Sequence, residues 1–136
     1  MFEDAILSHP FLTVALWLDN NKIPGTTPTE IGLLTELASV SMTNATLSGT
    51  IPTEMGNLVN LRRLWLYAND LTGNIPAQLD QLVDLEVLEL HNNKLSGAVP
   101  QGVCANVDGS GYEFKSLTTD CVKEVTCDRT CCTECY

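Results

Sequence analysis

The residues best equipped for chemistry crowd the C-terminal end of the sequence. All six cysteines lie between Cys104 and Cys135, and Cys127, Cys131, Cys132 and Cys135 have CxxxCCxxC spacing. Four thiolates so spaced can hold a tetrahedral zinc ion. Such a site has no histidine near it, since His9 and His91 are far off in sequence, and it leaves Cys104 and Cys121 unused. Disulfide pairing employs Cys104, Cys121, Cys127, Cys131, Cys132 and Cys135 together. An even, clustered set reads as a disulfide framework made in an oxidising compartment. Disulfides are therefore expected, without a choice of connectivity, and a zinc-binding cap is the alternative.

Elsewhere the chemistry is sparse. Glu89 and His91 are two apart and would share one face of a strand, close enough for a hydrogen bond. A lone pair of this kind on an open surface lacks the pocket that desolvates catalytic groups. The sequence has no glycine-rich phosphate loop, HExxH, GxSxG or kinase signature. No enzyme, cofactor or resident metal is expected.

Composition narrows the partners. The 136 residues are 44% apolar, 6% aromatic and carry a formal charge of -10. That is one folded domain with a mostly aliphatic core. Its excess of carboxylates disfavours nucleic acid and anionic membranes. No apolar run approaches the ~20 residues of a membrane-spanning helix. The stretch Phe11 to Leu18 is apolar, but Glu3 and Asp4 stand where an export signal carries positive charge. Disulfide chemistry without that signal leads to the expectation that the native chain begins upstream.

The elements that must position any site come from a repeat. Leu16, Val40, Leu64 and Leu88 are successively 24 residues apart, as are Leu18, Met42, Leu66 and Leu90. The same step links Ile23 to Leu95, Gly25 to Gly97 and Pro28 to Pro100 through their intermediate copies. In Leu64-Trp65-Leu66 the alternation is that of a strand with its leucines inward. Asn69 and Asn93 follow, where an asparagine side chain can bond the backbone of a tight turn. Glycine then permits a special backbone conformation, and proline ends the extended segment. Leu79 and Leu82 bring the chain back as a short 3-10 or irregular helix.

The pattern LxxLxLxxNxLTGxIPxxLxxL at residues 61–82, with LSGTIPTEMGNL at 47–58, resembles the plant-type leucine-rich repeats of receptor-like kinase ectodomains and polygalacturonase-inhibiting proteins. The resemblance covers roughly residues 13 to 103. It implies an α/β solenoid: a right-handed superhelix with a short-stranded parallel sheet on its concave face, a 3-10 or irregular convex side, and a second strand near Leu71-Thr72-Gly73. Three positions depart from the pattern, with Ala45 for the turn asparagine, Thr27 for isoleucine and Thr13 for the first leucine. The family's paired-cysteine N-terminal cap is absent, and Phe2, Ile6, Leu7 and Phe11 have a spacing suited to covering that end. The tail with CCTEC resembles the cysteine-rich ends of diatom leucine-rich-repeat proteins. Residues 1–12 are thus expected to form an N-terminal remnant or cap and 13–108 four repeats. Residues 109–136 would make a degenerate fifth coil, with its strand at Tyr112 and Phe114, and a disulfide-rich cap.

In this architecture the outward strand residues form columns. Both tryptophans fall in one of them, and tryptophan, tyrosine and arginine dominate binding hot spots. The expected ligand-binding residues are Trp17, Asp19, Arg63, Trp65, Tyr67, Glu89 and His91. Asn44-Ala45-Thr46 is a glycosylation sequon at Asn44, usable if the chain is secreted. The resemblance implies a non-catalytic protein- or peptide-recognition module, extracellular or at the cell surface. The alternatives are an inhibitor of a cell-wall-degrading enzyme or carbohydrate-contacting protein, with a polysaccharide partner, and a zinc-binding cysteine-capped structural solenoid.

Overall fold

Each 24-residue period carries two strand signals and one proline-led turn, so each makes one three-sided coil. A computed structural model describes residues 15–105, 116–119, 125–126 and 134–135, with backbone alone at 104–105, 116–117, 125–126 and 134–135. The strands are β1 (Ala15–Trp17), β2 (Gly25–Thr26), β3 (Ser39–Ser41), β4 (Leu47–Gly49), β5 (Arg63–Trp65), β6 (Asp70–Asn74), β7 (Val87–Glu89), β8 (Lys94–Ala98), β9 (Ser116–Thr119), β10 (Val125–Thr126) and β11 (Glu134–Cys135). They form two parallel sheets, ordered β1-β3-β5-β7-β9-β11 and β2-β4-β6-β8-β10. The fold is an α/β solenoid.

The third side follows from spacing. The amides of Ile31, Met55 and Leu79 donate to the carbonyls of Pro28, Pro52 and Pro76 at 3.2, 3.1 and 3.1 Å. These i to i+3 bonds open the 3-10 helices Thr29–Leu33, Thr53–Asn57 and Ala77–Gln81. Apolar residues recur every third position in Met55, Leu58 and Leu61, and again in Leu79, Leu82 and Leu85. Three residues per turn puts each set on one line, and all six side chains are buried. Gly56 lets consecutive turns stack, because a Cβ there would lie 2.5 Å from the Gln78 carbonyl oxygen. After the third turn the short helix α1 (Gln101–Ala105) replaces a fourth, and the Val103 amide donates to Asp80 Oδ1 at 3.0 Å.

Between the three sides runs an aliphatic core. Leu64, Leu66, Leu88 and Leu90 are at most 1% exposed, and it extends from Ile31 to Val103. The asparagine ladder also forms. Asn69 Oδ1 accepts from the Ala45 and Leu47 amides at 3.0 and 3.1 Å, and its Nδ2 donates to the Met42 and Leu66 carbonyls at 2.7 and 2.9 Å. Asn93 Oδ1 takes the Leu71 amide at 3.1 Å, and its Nδ2 donates to the Leu66 and Leu90 carbonyls at 3.0 and 2.9 Å. Each asparagine thus ties its own coil to the one before it.

One expectation is corrected. The strand paired with β7 is β9, in which Leu117 lies opposite Leu88. Leu117 is 29 residues beyond Leu88, so five extra residues enter before the fifth strand and its register is not the one that puts Tyr112 and Phe114 there. A further strand, β11, pairs with β9 beyond it. Tyr112, Phe114, the proposed cover at Phe2, Ile6, Leu7 and Phe11, and Cys121, Cys127, Cys131 and Cys132 lie outside the described residues. So do the side chains of Cys104 and Cys135, and with them both the disulfide and the zinc readings.

Candidate binding face

Parallel pairing without slippage turns the 24-residue period into columns one strand apart. On the outer face of the first sheet Ala15, Ser39, Arg63 and Val87 are in register, and so are Trp17, Ser41, Trp65 and Glu89. The backbone ladder continues past the strands, with Asn20, Asn44 and Ala68 donating to the carbonyls of Thr43, Tyr67 and His91. This aligns Asp19, Thr43, Tyr67 and His91 as a third column. The seven expected ligand-binding residues therefore share one face.

Side-chain size then decides the relief of this face. Strands two apart in a sheet are separated by about 10 Å. Yet the Trp17 and Trp65 rings stack with centroids 5.6 Å apart and planes 28° from parallel. They lean toward each other over the strand between them, whose residue in that row is Ser41. The serine is 4% exposed beneath the pair, and Ser39 and Thr43 are also buried. A larger residue at position 41 would stand where the indoles meet. Trp17 is still 58% exposed, and Arg63 on β5 is exposed beside Trp65.

A second aromatic stack continues the face. Tyr67 and His91 occupy adjacent coils with centroids 4.6 Å apart, and His91 Nδ1 shares a 2.7 Å hydrogen bond with Thr118 Oγ1 on β9. Thr118 is opposite Glu89 in register, so the face runs on into the fifth strand. At its edge Lys94 Nζ and Asp70 Oδ1 form an exposed ion pair at 2.7 Å.

Asp19 is placed differently from its neighbours. Its Oδ1 accepts from Ser41 Oγ, from the Thr43 amide at 2.9 Å and from Thr43 Oγ1 at 2.8 Å. Burial pulls its pKa up, but the hydrogen bonds from Ser41 and Thr43 outweigh it and hold the carboxyl below the usual carboxylate range. Much of its bonding capacity is therefore directed into the protein. Asn44 is exposed at the rim in the left-handed region, at φ 49°, and its Nδ2 donates to Asn20 Oδ1 at 3.0 Å. Among the described residues no group of three His, Cys, Asp or Glu could hold a metal ion.

Residues missed by pattern reasoning are Ser41, Thr43 and Thr118. The columns place them, but only geometry shows Ser41 lying under the tryptophans, Thr43 holding the Asp19 carboxylate and Thr118 anchoring His91. Among the described residues no helix is long and apolar enough to cross a membrane.

Residues 60–82 and 84–106 match the Leucine Rich Repeat family model. No curated protein matches the chain. Solved structures do. The ectodomain of the receptor kinase SOBIR1 from Arabidopsis thaliana is 26% identical with a TM-score of 0.69, over 82% of this chain and 56% of that one. The ectodomain of the membrane receptor kinase GASSHO1/SCHENGEN3 from Arabidopsis thaliana, in complex with CASPARIAN STRIP INTEGRITY FACTOR 2, is 38% identical with a TM-score of 0.63, over 65% and 11%. A plant ice-binding protein is 32% identical with a TM-score of 0.62, over 84% and 34%. The chain thus carries leucine-rich repeats and spans 11% to 56% of the length of these relatives.

Proposed function

We propose that this protein is a non-catalytic recognition module that binds a protein or peptide on the outer face of its first sheet. The observation that carries the reading is the pair of aromatic stacks, Trp17 on Trp65 and Tyr67 on His91, beside the exposed Arg63. Rigid aromatic rings offer contact area at little cost in lost side-chain freedom, and with arginine they dominate interface energies. Support also comes from the GASSHO1/SCHENGEN3 ectodomain, a structure determined with its bound factor. Fold likeness alone does not select the ligand, since the same coil stack serves a plant ice-binding protein. The extracellular or cell-surface setting, with Asn44 open to glycosylation, belongs to the same proposal and rests on the receptor-ectodomain likeness.

A displayed peptide library selected on the intact protein tests this. The selected peptides should lose at least about tenfold in affinity, or ~1.4 kcal/mol, with Trp65→Ala and with Arg63→Ala. They should be indifferent to Val59→Ala, a residue 52% exposed just past the second 3-10 helix. Peptides insensitive to both face substitutions would overturn the reading. Tight binding of pectic or chitin oligosaccharides that depends on Trp65, with no peptide selected there, would transfer the face to the carbohydrate alternative.

A further inference from the structure

The joint between the first and second coils is built differently from those that follow. Asn69 and Asn93 each cross to the preceding coil, but the matching position in the second coil is Ala45, fully buried. An asparagine there would face the Ile23 amide and the Leu18 carbonyl, just as Asn69 faces those of Leu47 and Met42. Instead the Ile23 amide donates to the Ala45 carbonyl at 3.0 Å, and an open pocket of about 280 Å³ beside them runs from Leu18 and Ala45 to Thr26, Thr27 and Pro28. The side-chain bracket is missing at this joint.

On the other side of the same turn a bracket of opposite polarity is present. Asp19, in the first coil, reaches forward to Ser41 and Thr43 in the second. Asp19 follows Trp17 by two residues, and Ser41 is the residue over which Trp17 meets Trp65. One carboxylate oxygen therefore pulls the end of β1 onto the strand that supports the tryptophan pair.

We propose that Asp19 is a positioning residue that substitutes for the missing asparagine bracket and holds Trp17 in stacking register with Trp65. Its role is to order the face before any ligand arrives. The assignment concerns the free protein, so its test stands apart from the choice of ligand.

The readout is the exciton couplet that two stacked indoles give in circular dichroism, with Trp17→Phe as the baseline. Asp19→Ala should lose most of the couplet, while Asp19→Asn, whose amide oxygen still accepts, should keep most of it. Adding Ala45→Asn to Asp19→Ala should restore the couplet by supplying the absent bracket. A full couplet in Asp19→Ala would overturn the proposal. So would a rescue that raises the thermal midpoint without returning the couplet. If Asp19→Ala alone does not fold, the double variant is compared with Ala45→Asn alone. Equal couplets support the assignment, and a weaker one in the double variant overturns it.

Discussion

Tyr67 and His91 stand ring on ring, with planes 7° from parallel and centroids 4.6 Å apart. That separation is close to the ~4.8 Å between neighbouring strands, so neither ring has to lean. The tryptophan pair, with a coil between its members, must. The first stack is upright and tied to Thr118 at 2.7 Å, while the second is an arch over a serine.

The upright stack should show measurable coupling. In a double-mutant cycle with Tyr67→Ala and His91→Ala, followed by urea unfolding, the interaction energy should be about 0.5–1.5 kcal/mol. Additive effects would mean that the rings merely sit side by side.

Asn69→Ala should be among the costliest single changes in the molecule. It orphans the Ala45 and Leu47 amides and withdraws a donor from the Met42 and Leu66 carbonyls. A loss of about 3 kcal/mol in urea unfolding is expected. Asn21→Ala, which gives up one exposed 3.3 Å bond, should change stability by no more than ~0.5 kcal/mol.

Ala68→Asn should stabilise. Ala68 holds φ 58° in a column where Asn20, Asn44 and Asn92 hold 56°, 49° and 55°. The left-handed conformation costs an ordinary L-residue roughly 1–2 kcal/mol, and asparagine tolerates it far better. Thermal unfolding should show a higher midpoint, by a gain on the order of 1 kcal/mol.

Acid should act partly through Asp19. Its carboxyl titrates below the ordinary range when folded, so its contribution is complete above the unfolded value of ~3.9 and disappears as pH falls through the lower folded value. Compared with wild type, Asp19→Asn should flatten the fall in stability over that window and leave the neutral-to-alkaline profile unchanged in shape. Equilibrium urea midpoints across an acid series give the comparison.

Much of this was legible in the residues. The 24-residue columns placed the strands, the buried leucines and the shared face, because parallel pairing without insertions converts spacing into adjacency. Ala45 was visible as a departure, but not the open pocket beside it or the carboxylate bracket across the turn, which depend on where neighbouring side chains come to rest. The fifth strand escaped for the opposite reason. Five inserted residues break the period, and a periodic argument has no means of placing an insertion. The burial of Ser41 was equally hidden, since polar type suggests exposure and only the tryptophan arch shows what lies over it.

The first joint also bears on how such a chain can lengthen or shorten by duplication. At the second and third joints the asparagine and the groups it meets recur one period apart, so a whole coil copied there brings compatible fittings with it. At the first joint the fittings are Asp19, Ser41, Thr43 and Ala45, a set that neither the second nor the third joint reproduces. A copy of the third coil inserted after the first would set Trp65 and Tyr67 against Asp19 in place of Ser41 and Thr43. The coil that carries Asp19 is thus matched to the neighbour that carries Ser41 and Thr43, and the two are best copied as a pair.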